Sequence, residues 1–405
     1  MGKSTSPAPG YFARMSTDRQ STAGRRLRWG MVGGGPGAFI GNVHRMAARL
    51  DNEIELVCGA FSSSPEKSAA AGRELYLDPA RAYGSWEEMI EREAAKPADQ
   101  RPDFISIVTP NHMHFPPAMA ALEAGFHVVS DKPMTVSVDE AERLVAKAQE
   151  TGLVFGLTHN YTGYPMVKHA RAMVAAGEFG RIRRVLVEYP QGWMSDKLED
   201  TGQKQAAWRS DPAKSGAAGA TGDIGTHAEN LAAYVIGQRP TKLLAELTRF
   251  VDGRQLDDDA SVLMHFDGGA KALLFCTQIA AGEENALKLR VYGERGGLEW
   301  RQEEPNTLRV TQHNGPATLL RTGVGELSDA AQANTRLPSG HPEGFIEAFA
   351  NVYRGVAQAI RRHSGEDLGD APQLDFPTVE DGLEGMRFIE AVLKSDRGGN
   401  VWTEV

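Results

Sequence analysis

At 405 residues the chain is long for one hydrophobic core, which favours two domains or one domain with a large elaboration. Hydrophobic residues make up 41% and charged residues 24%, as in ordinary globular proteins, and 44 Lys and Arg stand against 53 Asp and Glu for a net charge of −9. That acidic balance argues against nucleic acid or an anionic membrane as partner, and no apolar run approaches the roughly 20 residues that span a bilayer.

Residues 1–24 are polar, rich in Pro, Ser and Gly, and lack the apolar core of a signal peptide, so a disordered tail is expected, with Met15 as a second candidate start. Arg25 and Arg26 run straight into an apolar stretch and a Gly-rich turn, so they open a first strand rather than an export signal. From there strands and helices alternate. The stretches "LRWGMVGG", "IELVCGAF", "PDFISIVTP", "HVVSDKP" and "LVFGLTHN" read as buried strands. "AFIGNVHRMAARL", "SPEKSAAAGREL", "SWEEMIEREAAK", "FPPAMAALEAGF" and "SVDEAERLVAKAQETG" read as the helices between them. Ser64 with Pro65, and Ser137 with Glu140, supply helix-start signals. This alternation predicts a doubly wound parallel sheet, the Rossmann architecture, over residues 25–156.

After about residue 157 the pattern changes. One helix over "YPMVKHARAMVAAGEFG" leads into "IRRVLVEYPQGW", "TKLLAELTRFV", "ASVLMHFDGGAKALLFCTQIA" and "ALKLRVYGERGGLEW", with a hairpin turn at Asp267-Gly268-Gly269. Residues 157–405 therefore read as an α+β domain with a large, open, mostly antiparallel sheet whose uncovered face favours oligomers. A last helix, "TVEDGLEGMRFIEAVLKSD", is expected to return to the first domain. Cys58 and Cys276 sit in apolar runs, read as buried reduced thiols of a cytoplasmic protein, and no metal-ligand spacing is present.

Four motifs carry chemistry. Gly33, Gly35 and Ala38 match G-x-G-x-x-G/A between a strand and a helix, so Gly33, Gly35, Pro36, Ala38, Phe39 and Ile40 are candidates for a dinucleotide pyrophosphate. The second strand ends in Phe61-Ser62-Ser63 rather than in an acid. Ser62, Ser63 and Lys67 leave room for NADP as well as NAD. Thr109, Asn111 and His114 in "TPNHMH", together with Asp131 and Lys132 in "DKP", end strands at the carboxyl edge, where the nicotinamide is expected. Asp223 and His227 are spaced i, i+4, which on a helix would let the carboxylate hold one imidazole nitrogen and free the other as a base.

With these residues in the same order, the chain resembles the glucose–fructose oxidoreductase, inositol dehydrogenase and rhizopine-catabolism oxidoreductase family. The resemblance implies a catalytic group of Lys132, Asp223 and His227, with Asp131 where the family usually has Glu. It also implies a Pro133 that fixes Lys132, through a cis bond in relatives. Within the family, "VEYPQGWM", "AAWRSDP" and "LPSGHPEGFIEAFANVY" look most like scyllo-inositol, L-glucose and levoglucosan dehydrogenases. That similarity implies Tyr161, Gln191, Trp193, Arg209 and His341, beside Lys132, Asp223 and His227, on the substrate side. It favours NAD over NADP, no metal, and a homotetramer or dimer. The expected reaction is oxidation of a secondary hydroxyl of a cyclic polyol or sugar. A glycoside-cleaving enzyme that oxidises its sugar transiently is the alternative; a non-catalytic nucleotide-binding regulator would not need all three catalytic side chains.

Overall fold

The computed structural model describes residues 24–405, so the tail expected over residues 1–24 lies, but for Gly24, outside the described residues. The first layer runs β1 (Leu27–Gly33), α1 (Phe39–Arg49), β2 (Ile54–Ala60), α2 (Pro65–Glu74), α3 (Trp86–Ala94), β3 (Phe104–Val108), α4 (Phe115–Glu123), β4 (His127–Ser130), α5 (Val138–Thr151) and β5 (Phe155–Leu157). Its five strands are all parallel, in the order β2-β1-β3-β4-β5. The chain reverses direction of winding between β1 and β3, and ligands of open parallel sheets bind at the carboxyl ends beside such a switch point. Both faces of β3 and β4 are buried, which accounts for their unbroken apolar runs.

The second layer begins with α6 (Pro165–Ala175) and β6 (Ile182–Pro190), followed by the short helices α7 (Lys204–Arg209) and α8 (Pro212–Ser215). A π-turn over Thr221–Gly225 leads into α9 (Thr226–Ile236), and strands β7 (Pro240–Thr248), β8 (Asp259–Phe266), β9 (Lys271–Thr277), β10 (Lys288–Gly293), β11 (Gly296–Arg301), β12 (Thr307–Gln312) and β13 (Ala317–Arg321) follow. Helices α10 (Asp329–Ala333), α11 (Phe345–His363) and α12 (Val379–Arg397) precede a terminal strand β14 (Thr403–Glu404). Nine strands form one sheet, β13-β12-β11-β10-β6-β9-β8-β7-β14, antiparallel except where β6 runs parallel to β9. Helices α6, α9 and α12 cover one face of it. On the other face Leu263, Leu273 and Tyr292 are exposed.

The sequence reading missed β12, β13, β14 and α11. Strand β13 is exposed along most of its length and β14 is two residues long, so neither carries a burial period. Helix α11 crosses back to lie on α1, where buried His44 Nδ1 meets Tyr353 Oη at 2.6 Å and Phe349 packs edge-on against the same ring. Helix α12 packs on α5 and β7, joining the two sheets from behind.

Candidate active site

A single cleft of about 1510 Å³ runs along the carboxyl edge of the parallel sheet and under the end of β6. That volume exceeds the roughly 300–1,000 Å³ of a site for one drug-sized ligand, and so leaves room for a dinucleotide and a substrate together. Gly33, Gly35, Pro36, Ala38, Phe39, Ile40, Ser62, Ser63, Lys67, Thr109, Asn111, Asp131 and Lys132 all line it.

The Gly-rich turn fits a pyrophosphate on two counts. A Cβ on Gly35 would lie 2.4 Å from the carbonyl oxygen of Phe61, so only glycine allows the turn to lie this close to the end of β2. Gly33 and Gly34 have φ of +85° and +72°, in the left-handed region. Helix α1 starts at Ala38 without a side-chain cap, leaving its first N–H groups free for an anion. The closest approach of α1 to the turn falls at Gly41, whose Cβ would lie 2.3 Å from Gly34 Cα, rather than at Ala38. After β2, Ser64 caps α2 through Lys67 N, while Ser62 and Ser63 face the cleft.

Beyond β3 and β4 the edge is wired by backbone contacts. Asn111 Nδ2 donates to the carbonyl of Ser215 at 2.9 Å, tying the first layer to the second. His114 departs from expectation: its ring nitrogens meet the carbonyls of Pro133 (2.7 Å) and Thr109 (2.9 Å), and the buried ring lies outside the cleft lining. It braces the "DKP" turn instead of touching a ligand. Asp131 Oδ1 accepts from Thr158 Oγ1 and from Lys132 N, and the Lys132–Pro133 peptide is cis.

Lys132 Nζ reaches across to the π-turn, where it donates to the carbonyl oxygen of Asp223 and, at 2.9 Å, to its Oδ1. Asp223 Oδ2 accepts from Arg209 Nε at 3.0 Å and from Gln278 Nε2 at 2.8 Å. Burial alone would raise this carboxyl, but the charges of Lys132 and Arg209 and the Lys132 hydrogen bond hold it far below the usual carboxylate range. The expected Asp223–His227 hydrogen bond is not formed. Two cations and an amide take up the carboxylate, and charge-assisted donors outcompete a neutral imidazole. His227 Nδ1 instead faces His159 Nδ1 at 3.4 Å, with the rings edge to face at 5.2 Å. Burial, then the charge of Lys132, pushes His227 well below its ordinary value.

The far wall comes from the second sheet. Period-two alternation past the end of β6 puts Tyr189, Gln191 and Trp193 along one side of the cleft. Trp193 Nε1 donates to Gln191 Oε1 (3.0 Å), and Gln191 Nε2 and Tyr189 Oη both donate to Asn285 Oδ1 (2.7 Å each). Tyr161 Oη closes the network against Tyr189 Oη and Asn285 Nδ2. Arg209 lies over the rings of Trp208 (4.3 Å) and Trp193 (5.9 Å). His341 is exposed on the loop before α11 and lies outside the lining, so it does not join this group. Tyr189, Asn285, Gln278, His159 and Trp208 were not foreseen. Tyr189 was findable from its two-residue spacing to Gln191, and His159 from its place just after β5. Gln278 and Asn285 lie on connections with no periodicity to mark them. Among the described residues, no group of three or more His, Cys, Asp or Glu could hold a metal ion.

Comparison with known proteins agrees with this architecture. Residues 27–159 match the model for an oxidoreductase family with an NAD-binding Rossmann fold, and residues 167–299 match the GFO/IDH/MocA C-terminal domain. The chain belongs to the GFO/IDH/MocA oxidoreductase family. It is 37% identical to an inositol dehydrogenase homolog from Azotobacter vinelandii solved with NAD⁺, with a TM-score of 0.89 over 94% of this chain and 98% of that one. The same homolog solved with NADH and myo-inositol gives 36% and 0.87 over the same shares. An oxidoreductase from Sinorhizobium meliloti is 46% identical with a TM-score of 0.84, covering 94% and 99%. An uncharacterized oxidoreductase of Bacillus subtilis is 35% identical over 93% of this chain and 96% of its own. The protein is thus an oxidoreductase with an NAD-binding Rossmann domain.

Proposed function

We propose that the protein oxidises a secondary hydroxyl of a cyclic polyol or sugar to the ketone, with NAD favoured over NADP. The observation that carries the reading is the convergence of Lys132, Asp223 and His227 in the cleft that also holds the Gly33–Ala38 turn. The myo-inositol complex of the Azotobacter homolog supports a cyclic polyol as the substrate class. When bound, the nicotinamide supplies the acceptor for the hydride that leaves the carbinol carbon.

The chain's own residues do the rest. His227, neutral because of burial and the nearby Lys132 charge, takes the hydroxyl proton. Lys132, held in place by Asp223, donates to the oxygen on which negative charge develops. Arg209 and Gln278 fix the other carboxylate oxygen, so that Asp223 is a rigid platform for Lys132. Trp193, Gln191 and Tyr161 face the ring hydroxyls. Ser62, Ser63 and Lys67 line the cleft after β2 and would hold the ribose of a bound dinucleotide.

The test is a scan of inositols and monosaccharides with NAD and with NADP, following nicotinamide absorbance. Turnover of a cyclic polyol with NAD supports the proposal. Sugar release from a glycoside without net absorbance change would favour the transient-oxidation alternative, and no turnover of any polyol or sugar overturns both. The uncovered sheet face supports a homo-oligomer, the family resemblance favours a tetramer over a dimer, and the two buried free thiols are consistent with a cytoplasmic site. Light scattering that returned the monomer mass would count against the assembly. No helix among the described residues is long and apolar enough to cross a membrane.

A further inference from the structure

His159 belongs to no motif and does not line the cleft, yet among the described residues its ring nitrogen is the hydrogen-bonding partner of His227. Resting on the assignment of His227 as the base, we propose that His159 is the positioning residue that fixes the tautomer of His227 and accepts a hydrogen bond from its cationic form. Two Nδ1 atoms 3.4 Å apart admit one proton between them. With two protons the hydrogens collide, and with none two lone pairs face each other. A base acting through Nε2, the nitrogen of His227 turned away from His159, must carry its own hydrogen on Nδ1. His159 Nδ1 is then the acceptor. When Nε2 takes the substrate proton, the Nδ1–H donates to a neutral partner and the positive charge is stabilised.

The surroundings keep His159 neutral. Burial first, then the charge of Lys132, lowers it to about 3, against the opposing pull of Asp131. The groups that face the pair come from every side: Asp131 and Lys132 after β4, Tyr161 after β5, Tyr189 on β6 and Asp223 in the π-turn. Asp223, the expected partner of His227, is fully engaged by Lys132, Arg209 and Gln278. Tyr161 packs edge-on to His227 at 4.8 Å.

The experiment compares His159→Asn, His159→Leu and His227→Ala in the full-length protein with NAD and the polyol turned over best. Asn places an oxygen near Nδ1 and keeps the acceptor; Leu keeps bulk and removes it. His159→Leu is expected to lose about ten- to a hundredfold in kcat with little change in KM, the scale of one hydrogen bond to a charged group. Its acid limb in kcat/KM should move down by about one pH unit, because the cationic form of His227 loses its stabilising acceptor. His159→Asn should stay close to wild type in both. Equal losses in the two variants with an unmoved pH limb would make His159 structural and overturn the inference. So would an unchanged kcat in His159→Leu while His227→Ala is inactive, an outcome that leaves the base assignment standing. Active His227→Ala would instead sink the base assignment itself. If the Leu variant does not fold, ¹⁵N-histidine spectra of the wild type decide: the His227 signal must report Nδ1–H with bare Nε2, and the reverse tautomer overturns the proposal.

Discussion

Two cations meet at the carboxylate of Asp223, and that meeting settles what each neighbour can do. Lys132 and Arg209 keep the acid ionised at any working pH, so it serves as an anchor and not as a proton carrier. Of the three side chains Lys132, Asp223 and His227, the proposed mechanism therefore gives the proton to His227. His227→Ala should lower turnover by roughly 10²-fold or more, the scale of general base catalysis, and steady-state kinetics on the preferred polyol measure it. That Lys132, Asp223 and His227 share one cleft was legible at this scale, because they sit in a strand end and a Gly-rich approach. Their pairing was not legible. A four-residue spacing says two side chains can share a helix face, but it cannot say that Lys132, 91 residues upstream, arrives first. His114 and His341 failed for a related reason: a loop histidine gives no sign of depth or direction until the carbonyls around it are placed.

The π-turn over Thr221–Gly225 delivers Asp223 to the cleft, and one buried acid holds its start. Asp257 accepts from Gly219 N (2.6 Å), Thr221 N (2.8 Å) and Thr221 Oγ1 (2.8 Å). Replacing it with Ala would strand these buried donors, a loss of roughly 1–3 kcal/mol or more in denaturant unfolding. The same change should also lower kcat through displacement of Asp223, whereas a variant with wild-type stability and turnover would rule the role out. π-turns often mark functional positions in helices. The regular helices were placed by their buried stripe and the inner parallel strands by unbroken apolar runs, since those strands are buried on both faces. Helix α11 buries Phe349, Val352, Tyr353, Val356 and Ile360 on one stripe, so its period was there to be read, but its opening residues resemble a substrate-side segment of relatives and that resemblance hid it. Gly163 shows how tightly that helix docks: a Cβ there would meet the Ala348 carbonyl oxygen at 2.1 Å.

Across the whole molecule, several histidines are buried in the neutral form. Burial, before any charge, lowers His44 and His127 to about 4 and His159 to about 3. In the unfolded chain each would protonate near 6.5. Between these values the unfolded state binds more protons than the folded state, so stability rises with pH through this window and is lost as pH falls from about 6.5 toward 4. Thermal midpoints measured from pH 7 down to 4 should fall progressively, with the decline starting near 6.5; a flat midpoint to pH 5 would show these rings protonating without cost. The two-layer plan was readable from the switch between alternating and antiparallel patterns near residue 157. The helices that bind the layers together from behind were only half readable, since the return of α12 was expected and that of α11 was not.

The placement of tryptophans gives the cleft an optical reporter of its own. Trp193 and Trp208 flank Arg209 in the cleft and Trp86 lines it too, whereas Trp29 and Trp300 are sealed in the interior and Trp402 is exposed elsewhere. Reduced nicotinamide absorbs where indole emits, so cofactor binding should dim the intrinsic emission. A polyol arriving afterwards should shift what Trp193 and Trp208 still emit, and Trp193→Phe with Trp208→Phe should erase the second signal while sparing the first. Occupancy of the two halves of the cleft is therefore separable by light in the unlabelled protein.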